Sequence, residues 1–442
     1  MRAFVFRFAH EMAYPGFTDH YKMLLENQWK SREQLEAERD EALRSTVRYA
    51  YDTVPYYKGL LRSLSLTPDD FRTAKDLEKL PVLTKDVIKR NWEQFVPAGL
   101  DSMRFVQKAT GGSTGTPFEY RTTKDDLMMS MCHQIRGWNY LGYEFGDRMV
   151  TMGGSSLTLG IRSSLGRRLH ETVRNVRMLS SFDMGEEDMR RYASVINSFR
   201  PLYVFGYASS IYFFSEWASR HGTSLHRPKA VFTTAEKLFP KARESIERAF
   251  GCKVYDSYGV NDSGVSAIEC EKREGFHINT ERALMEVVDD QGRQLTEGTG
   301  RILGTSLHNT AMPFIRYDTG DFATITEARC SCGRGYRLLK EIQGREQEML
   351  VTPEGKHIHG EFFTHIFWEV KGVREFQVVQ DRTDHLKVRI IPEQGFDRSE
   401  LDKVRAYIAA RSKAWAVDFE EVDRIERAGS GKYRFVVREV GP

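Results

Sequence analysis

The chain has 442 residues, 40% of them hydrophobic and 29% charged; it is too long for one ordinary core and predicts a soluble globular protein of two or three domains. Its 65 Lys and Arg against 62 Asp and Glu leave a net charge of +3, which speaks against a dedicated nucleic-acid binder. No apolar run reaches the length of a bilayer span, Met1 to Met12 lacks the pattern of a signal peptide, and five cysteines make no disulfide framework, so the expected location is cytoplasmic with no membrane partner.

Residues 17–62 are predicted helical. Leu24 to Tyr51 is dense in Glu, Gln, Lys, Arg, Leu and Ala, with apolar residues at helical spacing. Val54-Pro55-Tyr56-Tyr57 ends the run, because a proline disfavours helix in the residue before it. Thr67-Pro68 reads as a capped helix start, and Leu80-Pro81-Val82-Leu83-Thr84-Lys85 restarts the chain into another helix. The tyrosines and prolines of this front end are expected to pack rather than react.

Next comes Ala109 to Pro117, rich in glycine and hydroxyl residues: Thr110, Gly111, Gly112, Ser113, Thr114, Gly115 and Thr116 before Pro117. Such a run can turn backbone N–H groups and hydroxyls toward a polyphosphate, or it can be a flexible surface loop. It is not the Walker pattern, since no Gly-Lys-Ser/Thr ends it. Phe105–Lys108 and Phe118–Arg121 on either side alternate apolar and polar, so strand, loop, strand is expected. Thr122 to Tyr140 then reads as a helix capped by Thr123, with Asp125 and Asp126 in its first turn.

From residue 148 to about 270 strands alternate with helices. Strands are read at 148–154, 202–206, 230–234 and 253–259, and helices at 186–199, 209–221 and 240–250. That alternation implies a parallel or mixed sheet covered by helices, with ligands at the carboxyl ends of the strands. Three such ends are polar: Tyr207-Ala208-Ser209, Thr233-Thr234-Ala235-Glu236 and Tyr258-Gly259-Val260-Asn261-Asp262. Residues 275–330 read as short strands with glycine turns, a small β subdomain. A charged junction at 344–348 leads into a tail of about a hundred residues with α+β pattern, the size of a small domain. The fold class is therefore α/β: a large N-terminal domain, 1–344, of helix-covered mixed sheets plus the β subdomain, and a small mobile α+β domain, 345–442.

Taken in order, Thr110–Pro117, Tyr258–Asp262, Tyr317-Asp318-Thr319-Gly320-Asp321, Gly344-Arg345 and Gly431-Lys432 resemble the motif series of the adenylate-forming acyl ligases. The helical front end, the overall size and Cys330-Ser331-Cys332-Gly333 make the chain most similar to the phenylacetate–CoA ligase family. The resemblance covers essentially the whole chain. It implies an AMP-forming ligase: a carboxylate attacks the α-phosphate of ATP, and the acyl-adenylate passes its acyl group to a thiol, usually coenzyme A, or in some relatives to an amine.

The resemblance also implies roles. Thr110–Thr116 would wrap the β- and γ-phosphates, with Thr116 where many relatives carry lysine. Tyr258 and Gly259 would lie by the adenine. Asp262 would hold Mg²⁺ where the family usually has glutamate, and Asp321 would accept the ribose hydroxyls. Arg345 would reach the ribose or phosphate edge, Gln347 stands at the hinge, and Lys432 would bridge carboxylate and α-phosphate, where a compact ammonium suits the accumulating charge. The acyl pocket would draw on Tyr207, Thr233, Thr234, Ala235 and Glu236, and the expected acid is aromatic.

Two thiols on the Cys330-Ser331-Cys332 turn, with Cys270 and His277 upstream, have the donors of a tetrahedral zinc site. The resemblance strengthens that reading, because some members of the family carry a structural zinc between these regions. Two alternatives stand beside the thioester-forming ligase: transfer of the acyl group to an amine acceptor, and a non-enzymatic nucleotide-binding scaffold, which the departures at Thr116 and Asp262 keep open. A homodimer is the candidate assembly.

Overall fold

The computed structural model describes residues 2–109, 118–153, 170–181, 184–345, 349–355, 357–428 and 432–440. The chain divides into two compact units, the first running to Gln343 and the second beginning at Gly344.

The first unit opens with four helices, Arg2–Ala13, Phe17–Asn27, Arg32–Thr53 and Pro55–Ser63. The break at Val54 comes from Pro55, which starts the fourth helix at a position where no N–H is needed. The first helix was not foreseen: its Phe and Val residues are interrupted by Arg and His, which masks the period. Strands β1 (Phe105–Ala109) and β2 (Glu119–Thr123) pair antiparallel around the glycine-rich run, and Thr110–Thr116 lies outside the described residues. Helix Lys124–Asn139 follows, its N-cap Thr123 accepting from the Asp126 N–H.

A mixed sheet of eleven strands forms the centre of this unit. Its parallel part contains β3 (Met149–Gly153), β4 (Val176–Ser180), β5 (Tyr203–Tyr207), β6 (Ala230–Thr234) and β7 (Lys253–Gly259). The crossover helices are Glu186–Phe199, Ala208–Arg220 and Pro240–Phe250. Tyr203, Phe205, Ala230, Phe232 and Tyr255 pack on the first two helices and on Lys124–Asn139. The alternate residues Val204, Val231 and Val254 point the other way and are equally buried, as a doubly covered parallel sheet requires. The remaining strands are β8 (Ser266–Glu269), β9 (Phe276–Ile278), β10 (Ala283–Val288), β11 (Gly298–Ser306), β12 (Tyr317–Thr326) and β13 (Leu338–Arg345). Antiparallel pairings join β7 to β8 and β8 to β9, so the strands of residues 275–330 continue the central sheet.

The second unit has a hairpin, β14 (Met349–Val351) with β15 (His357–His359), and a four-stranded sheet. That sheet is ordered β18 (Ala416–Glu421), β17 (His385–Pro392), β16 (Val373–Arg382), β19 (Val436–Arg438). Helices Glu361–Glu369 and Glu400–Ala409 share its core through Phe363, Phe367, Val404 and Ile408.

Candidate active site

Two sequence motifs far apart in the chain bond each other. The Tyr258 hydroxyl, on β7, donates to Asp321 Oδ2 on β12 at 2.9 Å. The Tyr317 hydroxyl, on β12, donates to Asp262 Oδ2 at 2.7 Å. Each motif supplies one tyrosine and one buried carboxylate, and each tyrosine serves the other motif's aspartate.

Local geometry aims these groups. Asp262 sits in a tight turn in which Val260 N donates to Val265 O and Gly264 N to Val260 O, both at 2.9 Å. Its Oδ1 accepts from Ser263 N at 2.9 Å. On β12 the register with β11 jumps: Arg301 faces Phe322 and Leu303 faces Asp318, so Thr319-Gly320-Asp321 form a bulge. Gly320, with φ +75°, turns the strand there, and Thr319 Oγ1 accepts from Asp321 N at 3.1 Å.

The front-end motifs hold this strand in place. Leu83 forms a parallel bridge to Tyr317, with Leu83 N donating to Arg316 O and Asp318 N to Leu83 O, both at 2.9 Å. Tyr57, fully buried, donates its hydroxyl proton to Pro313 O at 2.9 Å and accepts from Ile315 N at 3.0 Å. Arg316 takes a left-handed φ of +60°, and its guanidinium reaches buried Glu286 at 3.2 Å. A second buried pair stands under the Asp262 turn: Arg282 grips Asp126 through two bonds, 3.0 and 2.7 Å, and donates to Gly264 O at 3.4 Å. Tyr120 is also there; burial first, and then the Asp262 charge, push its hydroxyl above the ordinary range.

The carboxyl ends of β5 and β6 carry the residues expected to form the acyl pocket. Tyr207 is fully buried, Thr233 is buried and Thr234 is half-buried. Ala235 takes φ +70°, a conformation costly for a residue with a Cβ, and this turns the chain so that Glu236 Oε2 accepts from Ser209 N at 2.8 Å. Glu236 therefore satisfies a free N–H in the first turn of helix Ala208–Arg220. Thr233 Oγ1 bonds Asp256 Oδ1 at 2.6 Å. Asp256 N donates to Glu269 Oε2 at 2.7 Å, and Arg243 holds Glu269 at 2.9 Å. Burial, then the Glu269 charge, push Asp256 up to about 7.

Arg345 ends β13, whereas Gln347 lies outside the described residues. In the second unit Lys432 is half-buried, and its carbonyl accepts from Ala428 N at 2.9 Å. The next residue, Tyr433, is buried with its hydroxyl on Phe376 O at 2.5 Å, so the segment bearing the lysine is anchored immediately after it.

Cys270, His277, Cys330 and Cys332 present donor atoms that all lie within 4.8 Å of one another. Cys270 and Cys330 sulfurs are 3.5 Å apart, and Cys332 Sγ is 3.4 Å from His277 Nε2. Two backbone N–H groups point at the sulfurs: Lys272 at Cys270, 3.4 Å, and Arg334 at Cys332, 3.5 Å. Burial, with Arg334 and Arg136 nearby, holds His277 down to about 3, so the imidazole is neutral as a metal ligand must be. Burial pushes the Cys270 and Cys330 thiols up, so without a cation they stay protonated. Three thiols and one imidazole are the donor set of a structural Cys₃His metal site.

Of the residues expected from the sequence, Tyr258 and Asp321 come together, as do the four Cys/His donors, and Asp262 lies bonded to Tyr317. Sequence reading missed Tyr317 as the partner of Asp262, and it missed the supports Arg282, Asp256, Glu269 and Arg243. Asp126 was read as a first-turn acid favoured by the helix dipole, without its buried arginine. Tyr317 stands within its motif in the sequence, but nothing local marks it as the partner of Asp262.

A family model described as the CapK C-terminal domain matches residues 350–439. The chain is 30% identical over 331 residues to a phenylacetate-coenzyme A ligase from Thermus thermophilus, covering 72% of each. It is 24% identical over 391 residues to Protein CapK of Staphylococcus aureus, covering 87% of this chain and 85% of that one. Among solved structures, 2-hydroxyisobutyryl-CoA ligase in the postadenylation state with 2-HIB-AMP aligns at TM-score 0.74 and 20% identity, over 93% of this chain and 91% of that one. At that identity the likeness speaks to the fold.

Proposed function

Since this chain belongs to the phenylacetate–CoA ligase family and is an AMP-forming acyl ligase, we propose that it joins an aromatic carboxylic acid to coenzyme A through an acyl-adenylate. The observation that carries the reading is the reciprocal bonding of Tyr258 with Asp321 and Tyr317 with Asp262, which joins both motifs in one site at the carboxyl end of β7.

In the first step a carboxylate oxygen bonds to the α-phosphorus of ATP and the bond to the bridging oxygen breaks, releasing pyrophosphate. Two anions must approach, so the protein's task is to neutralise and orient. Asp321 takes the ribose hydroxyls, with Tyr258 fixing its carboxylate and closing on the adenine beside Gly259. Residues 110–116 take the leaving phosphates. Asp262 would hold Mg²⁺, which supplies positive charge to the phosphates when bound; a carboxylate is a suitable hard ligand for it. Lys432 faces the charge that builds between carboxylate and α-phosphate, with Arg345 at the ribose or phosphate edge. In the second step the sulfur of coenzyme A bonds to the acyl carbon, AMP leaves, and the thiol proton passes to solvent.

The acyl pocket is assigned to Tyr207, Thr233, Thr234, Ala235 and Glu236. Glu236 also accepts from Ser209 N, so it caps the helix Ala208–Arg220 while standing in the pocket wall. We assign the large nucleotide and acyl domain to 1–344 and the lysine-bearing domain to 345–442, with Gln347 at the hinge, and a structural Zn²⁺ to Cys270, His277, Cys330 and Cys332. The location assigned is the cytoplasm, and among the described residues no helix is long and apolar enough to cross a membrane.

A pyrophosphate-release screen over aryl, aryl-acetic and amino acids, each with and without coenzyme A, tests this function. We expect release with an aryl or aryl-acetic acid and a thioester product. An amide formed with an added amine, and no thioester, would move the acceptor to an amine; silence with every acid would leave the scaffold reading.

A further inference from the structure

The amino ends of the parallel strands, opposite the adenylation site, form a cavity of about 930 Å³. Its lining includes Arg148, Arg200, Arg227, Lys229, Arg248 and Lys253, with Glu247 the one carboxylate among the lining residues. They come from separate segments: the turn before β3, the end of helix Glu186–Phe199, the approach to β6, the last turn of helix Pro240–Phe250 and the first residue of β7. The protein carries only three net positive charges, so this concentration is local.

Fold stability accounts for part of it. Arg148 donates to Phe199 O at 3.2 Å, satisfying a carbonyl at a helix end. Glu247 is already shared by Lys253 at 3.1 Å and Arg273 at 2.6 Å. Two crossover helices, Glu186–Phe199 and Pro240–Phe250, end at this lining, each with roughly half a negative charge, which together offset about one of the six cations. Arg200, Arg227, Lys229 and Arg248 are exposed, and among the described residues none has an acidic partner. Burial first, and then the charges of Arg200 and Arg148, hold His226 below its usual range, as a site of positive potential would.

We propose that this basin binds a compact oligophosphate, either free or as the phosphate chain of a nucleotide, at a second site separate from adenylation. Guanidinium forks suit phosphate oxygens, and the volume lies within the range of small-molecule sites. A compact cluster rather than a long basic stripe disfavours a nucleic-acid track. Among the described residues the exposed large apolar side chains, Phe8, Met12, Met23, Trp29, Leu64 and Tyr407, are not in this lining, which disfavours a lipid surface as the ligand. The strands separate the basin from their carboxyl ends by about 15 Å, at 3.3 Å per residue. The inference does not depend on which acid the enzyme activates.

Amide hydrogen exchange of the full chain, titrated with inorganic tripolyphosphate and separately with ADP, tests the proposal. Both ligands are expected to protect 199–202, 226–230 and 248–254. Equal potency identifies the phosphate chain as what is read, and at least tenfold tighter action by ADP identifies the nucleotide. The variant Arg200→Glu/Arg227→Glu/Arg248→Glu, or Arg227→Glu alone should the triple variant misfold, is expected to raise the half-saturating concentration at least tenfold while basal pyrophosphate release is unchanged. No protection at these segments up to millimolar ligand, or protection that survives charge reversal, overturns it.

Discussion

Asp256 shows at the residue scale how burial sets a proton. It lies at the sheet interior beside Glu269, which Arg243 holds, and burial and then the Glu269 charge push its own carboxyl up to about 7. In the unfolded chain it titrates near the ordinary aspartate value. The folded protein therefore holds the proton more tightly than the unfolded chain does. The stability this contributes is fully present below about pH 4 and is lost as pH rises through about 7. Asn in its place keeps an acceptor for Thr233 and carries no charge beside Glu269. Asp256→Asn is expected to flatten thermal stability against pH between 4 and 7, and to be the more stable protein at pH 8 by about 1–2 kcal/mol. Melting curves across that range check it; a variant with the wild-type slope would show that Asp256 is ionised throughout.

Single elements aim the candidate site, and the bulge in β12 is the clearest. Gly320 at φ +75° lets Asp321 leave the strand's alternation and face Tyr258. Gly320→Ala adds a Cβ with open space around it, so the cost is conformational, about 1–2 kcal/mol, and falls on the turn that carries Asp321. The expected outcome is a lower thermal midpoint together with a several-fold higher KM for ATP in pyrophosphate exchange; an unchanged KM would detach the bulge from nucleotide binding. The strand–turn–helix segments on either side of residues 110–117 were readable because their signals are local: Thr123 caps its helix, and Pro55 breaks one helix to begin the next. Tyr317 on Asp262 and Arg282 on Asp126 were not, because each pair joins residues 55 or 156 apart and nothing local marks the partner. Nor does anything local mark the bond that Glu236, at the end of β6, accepts from Ser209 N, 27 residues away.

The Cys/His cluster also belongs to this scale, since it ties the end of β8 and β9 to the segment between β12 and β13. Protein purified without chelator is expected to hold close to one equivalent of zinc by elemental analysis, and to melt lower after chelation. Less than half an equivalent would count decisively against the site.

At the scale of the whole molecule, the chain forms two compact units. The proposal puts the nucleotide groups Tyr258, Asp262 and Asp321 in the first and Lys432 in the second. Adenylation then needs a lysine brought by a separate body, whereas a preformed acyl-adenylate needs no charge bridge between carboxylate and phosphate. Tyr433, buried against Phe376, keeps the segment anchored when the lysine is shortened, so Lys432→Ala is expected to fold. Carboxylate-dependent exchange of labelled pyrophosphate into ATP, measured for this variant beside thioester formation from supplied acyl-adenylate, tests the central claim. The account predicts that exchange falls by about 10²–10³-fold while thioester formation persists; exchange at the wild-type rate would contradict it.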